Sequence, residues 1–209
     1  MHDVGGFAAR LLADVDAQPG RFLLGITGPP GAGKSTLAHA LTASVLEQRG
    51  RTVALVAPLD GFHLSNETLD SLGLLPLKGA PQTFDATAFV AYLRRLRADP
   101  GATVLWPDFD RGAERTVPDA IPIAASTRLV ITEGNYLLLE DPPWHEVREL
   151  LDQVWYLDVP ADILRRRLID RAMAYGRSEG DAVRHVDGSD LRNAELVARA
   201  KHRADLIIR

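Results

Sequence analysis

An α/β fold built on a parallel sheet follows from three features of this chain. Apolar runs of strand length alternate with stretches of helical periodicity, the first run leads directly into a glycine-rich loop, and five such runs recur without an internal repeat or low-complexity linker. The loop is Gly28-Pro29-Pro30-Gly31-Ala32-Gly33-Lys34-Ser35-Thr36. At 209 residues the chain is long enough for one well-buried core and short for two, so residues 1–209 read as a single domain.

The first helix is expected over Val4 to Ala17, where Phe7, Leu11, Leu12 and Val15 recur at helical intervals before Pro19-Gly20 stops the pattern. Phe22 to Thr27 reads as a buried strand. Leu37, Leu41 and Val45 mark the helix after the loop, Gly50 is its C-cap, and Thr52 to Ala57 forms a second buried strand. Strand, helix and strand at this spacing make a right-handed parallel unit. A short helix over Asn66 to Leu72 and a helix over Ala86 to Ala98, capped by Asp85, follow. Val104 and Ile123 belong to short strand-like pieces of a hairpin around a polar loop holding Pro107, Asp108, Asp110, Arg111, Glu114 and Arg115. Arg128 to Thr132 and Val154 to Val159 are the third and fourth parallel strands. A helix from Ala161, a polar loop over 176–188, a helix over Ser189 to Lys201 and a last strand over Asp205 to Ile208 complete the chain.

Composition narrows the function classes. Hydrophobic residues make up 46% and charged residues 25%, which are ordinary globular proportions. No apolar run reaches bilayer length and the first residues, with Asp3, lack a signal-like core, so no membrane insertion and a cytoplasmic location are expected. The absence of cysteine excludes disulfides and thiolate metal sites, leaving oxygen or imidazole to hold any metal. A formal charge of −4 argues against a nucleic-acid partner and toward a small-molecule substrate. A homodimer remains open.

The chemistry is concentrated at the glycine-rich loop, which fits G-x-x-x-x-G-K-S between strand and helix. Glycines let the backbone curl so that successive N–H groups converge on phosphate oxygens, and the following helix adds its positive N-terminal end. Gly28, Gly31, Ala32, Gly33, Lys34, Ser35 and Thr36 are therefore the candidate nucleotide-binding residues. Lys34 can reach the outer phosphates, and the Ser35 hydroxyl is a ligand for Mg²⁺, so the expected ligand is a Mg²⁺-nucleoside triphosphate. Ligands of an open parallel sheet collect beyond the carboxyl ends of its strands. Asp60 there either faces the loop or turns the chain before Gly61, and His63 either contacts substrate or bonds locally. Glu133, at the end of the third strand, either holds Mg²⁺ and orients substrate or caps nearby N–H groups. Segments 61–84, carrying Lys78, and 106–124 are expected to cover the substrate, and 161–188 to form a lid whose arginine cluster, Arg165, Arg166, Arg167, Arg171 and Arg177, either closes over the triphosphate or is in part solvated.

These pieces occur in a telling order: Gly28 to Thr36, Leu59-Asp60-Gly61-Phe62-His63, Asp108-Phe109-Asp110-Arg111 and Glu133-Gly134-Asn135-Tyr136-Leu137-Leu138-Leu139. With them the chain resembles, over nearly its whole length, the phosphoribulokinase, uridine kinase and pantothenate kinase superfamily. Within it, the likeness runs to short bacterial members described as nucleoside/nucleotide kinase-like or as fructose transport system kinases. The resemblance implies a P-loop NTPase three-layer sandwich of the nucleoside-monophosphate-kinase kind, with five parallel strands in the order 2-3-1-4-5. It also implies ATP and Mg²⁺, and an alcohol hydroxyl of a sugar, nucleoside or pantothenate-like molecule as acceptor. Asp60 would be the general base, Glu133 would sit near metal and acceptor, and Arg167, Arg171 and Arg177 would contact phosphates. His63, Lys78, Asp108, Asp110, Arg111, Asn135 and Tyr136 complete the candidate acceptor site. The piece Phe109-Asp110-Arg111-Gly112 departs from the uridine kinases in having no His nearby. The alternative is a nucleotide-dependent regulatory ATPase or switch of a transport system, which shares the loop but not the paired carboxylates.

Overall fold

A computed structural model describes residues 3–50 and 53–209. Its centre is β1 (Phe22–Thr27), every residue of which is buried. A strand covered on both faces must be apolar throughout, which is why this run does not alternate. β1 lies between β5 (Leu129–Glu133) and β6 (Gln153–Leu157), with β2 (Ala54–Pro58) beyond β5 and β7 (Leu206–Ile208) beyond β6. All four pairings are parallel. Counted over the parallel strands alone the order is 2-3-1-4-5, as the resemblance implies. Thr52, expected to open the second strand, lies outside the described residues. The short helix that follows β2 is α3 (Asn66–Ser71).

Helices pack on both faces and make three layers. On one face α1 (Val4–Ala17), α2 (Lys34–Arg49) and α6 (Ala161–Ala174) bury Leu11, Leu41 and Leu168 with Leu24, Ile26 and Trp155 of the sheet. On the other, α4 (Ala86–Ala98), α5 (His145–Leu150) and α8 (Leu191–Arg199) bury Phe89, Leu93, Val147 and Val197 with Leu23, Val130 and Tyr156. The expected helix caps form: Asp85 accepts from Ala88 N–H at 2.8 Å, and Gly50 closes α2 at φ 96° by donating to Leu46.

Two expectations need correction. The hairpin is longer than foreseen, with β3 (Val104–Asp110) and β4 (Arg115–Ile123) leaving only residues 111–114 as its tip. Pro107, Asp108, Asp110 and Arg115 therefore lie in strands, because the two chains stay paired past an irregularity between Trp106 and Asp108. The polar loop over 176–188 is instead largely helical, comprising α7 (Glu179–His185) and a wide turn over Val186–Asp190. Ser178 caps α7 by accepting from Asp181 N–H at 3.2 Å, and Ala182 and Val186, one turn apart, are fully buried.

The hairpin forms its own two-stranded sheet and is held against the end of β2 by side chains. Trp106 donates its indole N–H to Pro58 O at 2.9 Å, within a cluster where Phe62, Phe89 and Tyr92 meet its ring edge-on. The turn after β2 approaches the hairpin so closely that a Cβ on Gly61 would stand 2.2 Å from Pro107 O, which belongs to backbone and cannot swing away. We expect Gly61→Ala to lower unfolding free energy by about 1–3 kcal/mol, the usual cost of overpacking. Urea denaturation checks this, and an unchanged midpoint would show that the hairpin is free to move off the turn.

Candidate functional site

The carboxyl ends of β2, β5 and β1 open into a cleft of about 890 Å³. Its floor is the glycine-rich loop. Gly28 (φ 146°) passes so near Leu157 O that a Cβ would come within 2.7 Å, and Gly33 (φ 96°) is the N-cap of α2 with no side-chain hydrogen bond. The first N–H groups of α2, which have no partner inside the helix, are thereby left for an anion. Gly31, Gly33, Lys34, Ser35 and Thr36 all line the cleft, while Ala32 is buried beneath it.

Lys34 is buried and donates to Pro29 O at 3.0 Å. Burial lowers its pKa to about 8, against the opposing pull of the Glu133 and Asp60 carboxylates. Glu133, also buried, has its pKa raised by the same desolvation, with Lys34 and a hydrogen bond from Ser35 opposing. Ser35 Oγ donates to Glu133 Oε1 at 2.8 Å. A hydroxyl and a carboxylate side by side at the foot of the loop are the hard oxygen donors that suit Mg²⁺. Among the described residues no group of three or more His, Asp or Glu side chains could hold a metal by itself. The donor set thus fits a metal that arrives with the phosphates.

Asp60 sits in the turn after β2 and lines the cleft, with its carboxylate paired to Arg111 of the hairpin tip. His63 is packed between Phe84 and Phe109, at ring-centre distances of 4.0 and 4.8 Å, and its Nδ1 lies 2.9 Å from Asp60 O. Burial lowers its pKa, so the neutral ring is favoured. Lys78 donates to Asn66 Oδ1 at 2.7 Å and pairs with Glu114 at 3.3 Å. Asn135 also lines the cleft.

Three expected acceptor residues lie elsewhere. Asp108 accepts from the neighbouring Phe109 N–H at 2.8 Å, and Asp110 accepts from Gly112 and Ala113 N–H at 2.9 and 3.0 Å, so both carboxylates shape the hairpin rather than line the cleft. Tyr136 is fully buried among Phe84 and Trp144 and donates to Gly79 O, which ties the cover segment down; burial raises its phenol pKa.

From α6, Arg167 lies 3.4 Å from Gly31 O, and Arg171 and Arg177 line the cleft with it. Arg166 is exposed, and Arg165 grips Asp187 through two hydrogen bonds of 2.7 and 2.9 Å. His185 and Asp190 line the cleft without having been foreseen. Burial raises the Asp190 pKa, with His185, Arg171 and Arg177 opposing. The available signal was Ser178-x-x-Asp181, a helix-start pattern that extends the lid past residue 176.

Comparisons with known proteins bear on the family and the fold. A Schizosaccharomyces pombe (strain 972) protein with a provisional uridine kinase name is 34% identical over 194 residues, covering 90% of this chain and 83% of its own. YggC of Escherichia coli (strain K12) is 37% identical over 188 residues, covering 90% and 77%. The chain belongs to the superfamily of P-loop kinases that includes the uridine and pantothenate kinases. The solved structure of a protein from Silicibacter sp. TM1040, provisionally named a fructose transport system kinase, covers this P-loop kinase and itself completely, with TM-score 0.91 and 36% identity. A family model described as methylmalonyl-CoA mutase-associated GTPase MeaB matches residues 3–62. That match takes in the loop and ends at the Asp60 turn, before the hairpin, β5 and the lid.

The lowered pKa of Lys34 makes the stability of this P-loop kinase depend on pH in a definite direction. Between about pH 8 and the ordinary lysine range, the unfolded chain holds a proton that folded Lys34 has released, so Lys34 adds stability as pH rises. Wild type should gain on the order of 2 kcal/mol relative to Lys34→Met between about pH 7.5 and about pH 9.5. Urea unfolding of the nucleotide-free proteins measures this, and parallel pH profiles would mean that Lys34 titrates as an exposed lysine.

Proposed function

We propose that this P-loop kinase transfers the γ-phosphoryl group of ATP to an alcohol hydroxyl of a small molecule in the sugar, nucleoside or pantothenate-like range. The observation that carries the reading is a second carboxylate, Asp60, in the same cleft as the phosphate loop, with Lys78, Phe109 and Arg111 of the cover segments also lining it. A nucleotide switch needs the loop and Glu133 but has no use for a further carboxylate lining the same cleft.

In this reading Asp60 receives the hydroxyl proton. The hydroxyl oxygen forms its bond to the γ-phosphorus as the bond to the β–γ bridging oxygen breaks, and ADP leaves with that oxygen. Lys34, the first turn of α2 and the lid arginines Arg167 and Arg171 hold the phosphates and meet the charge on the transferred group. Ser35 and Glu133 would hold Mg²⁺, which when bound neutralises phosphate charge. Most of the acceleration comes from alignment and electrostatics rather than covalent chemistry. Arg111 engages Asp60 through Oδ2, so Oδ1 is the oxygen placed to take the proton.

The test is ADP formation with and without a panel of alcohols, with products identified by mass. An acceptor should raise ADP formation and appear phosphorylated, whereas equal rates with every alcohol would favour the switch. Asp60→Asn should lose about 10²–10⁴-fold in transfer rate while still binding ATP. Transfer at the parental rate would remove Asp60 from the role of base.

A further inference from the structure

A second cavity lies behind the wall of the cleft. It encloses about 570 Å³ between the start of α4, the start of α8 and the turn before α5, a size usual for small-molecule sites. The two spaces share a partition. In the cover segment Lys78 and Gly79 line the cleft, Ala80 and Pro81 line the second cavity, and Phe84 lines both. On the lid side His185 and Asp190 line the cleft, whereas Gly188 and Ser189 line the second cavity. Lys34, Asp60 and Glu133 do not border it.

Most of its lining is apolar, with Leu139, Trp144 and Leu196 joining Phe84. Into this setting α8 brings the side chain of Asn193, which is only 8% exposed and takes part in no hydrogen bond among the described residues. The buried side-chain atoms that are sealed off without a partner belong to Thr42, Arg128 and Thr132. The Asn193 amide therefore still meets open space, and that space is the cavity. A buried amide without partners gives up the hydrogen bonds it had in water, and the packing of α8 does not call for one. Asp141 and Arg192 stand at the exposed edge, one charge of each sign, and neither side chain is in a hydrogen bond or ion pair among the described residues.

With the edge charges balanced, the lining favours an occupant without net charge. An Asn side chain presents a carbonyl acceptor and N–H donors in one plane, and another carboxamide answers both at once. We propose that this cavity is a second ligand site, which takes a small uncharged molecule with an apolar body and a carboxamide head. The head pairs with Asn193 and the body lies against Phe84, Trp144 and Leu196. The site stands apart from the kinase reading, because its occupant needs no hydroxyl and meets none of Lys34, Asp60 or Glu133.

Benzamide and 2-naphthamide test this, each beside the methyl ketone of the same frame, with benzoate as the charged counterpart. Binding is measured by calorimetry on the full chain with saturating Mg²⁺-ADP, which keeps the probes out of the nucleotide site. The ketone keeps the carbonyl and loses the N–H donors, so each amide should bind about tenfold or more tightly than its ketone. Benzamide should also change the tryptophan fluorescence, and the change should vanish in Trp144→Phe, since Trp106 and Trp155 are fully buried and line neither space. Asn193→Leu should bring the amides down to the affinity of the ketones. Leu196→Trp should abolish binding of both by filling the cavity, and it carries the test if Asn193→Leu does not fold. Equal affinities for amide and ketone, tighter binding of benzoate, or amide binding unchanged by these variants would overturn the inference, as would no binding at all. Phosphoryl transfer is read separately, so none of these results decides the kinase reading.

Discussion

The register of the central sheet is the constraint on which everything else depends. Pro58, Glu133, Ile26, Trp155 and Leu206 stand side by side across all five strands. That row brings the ends of β2, β5 and β1 to one level, so Asp60, Glu133 and the glycine-rich loop begin within two residues of it. Slipping any of these strands by one residue would exchange its two faces, which both packed layers forbid. The position of all three is therefore enforced by the core, at a distance from the cleft itself.

Within that frame the cleft buries two opposite charges beside each other. Desolvation acts on Lys34 and Glu133 in opposite senses, lowering one pKa and raising the other, and each charge opposes the shift of its neighbour. Removing one member would leave the other buried without compensation, a more costly state than the pair itself. The Ser35 hydroxyl and Pro29 carbonyl satisfy part of the demand, and the uncapped N-terminus of α2 beside them suits an anion. Such a site is built in advance for a highly charged ligand.

Much of this was legible in the sequence, for reasons that are local. The strand, loop and helix around Lys34 combine a fixed spacing with a buried run, and Asp85 and Gly50 are terminators whose chemistry acts within one helical turn. Motif order then carried the strand order, which periodicity alone does not determine. What escaped notice depends on tertiary contact. Asp108 and Asp110 looked like acceptor ligands because they are acidic and follow a strand, but hairpin backbone N–H groups claim both. Tyr136 belongs to a telling motif, yet its ring turns into the aromatic layer. The lid beyond Gly176 looked like loop because its polar residues hide Ala182 and Val186, whose burial depends on α6 lying alongside.

The hairpin carries Arg111 and Glu114 without sharing a backbone ladder with the central sheet. Its strands can consequently lengthen, shorten or change their tip while the register of β1, β2 and β5 stays untouched. In the proposed reading, selection can act on the hairpin for what is phosphorylated and on the glycine-rich loop for the phosphate donor. One scaffold can in this way diversify across many small molecules without rebuilding its engine.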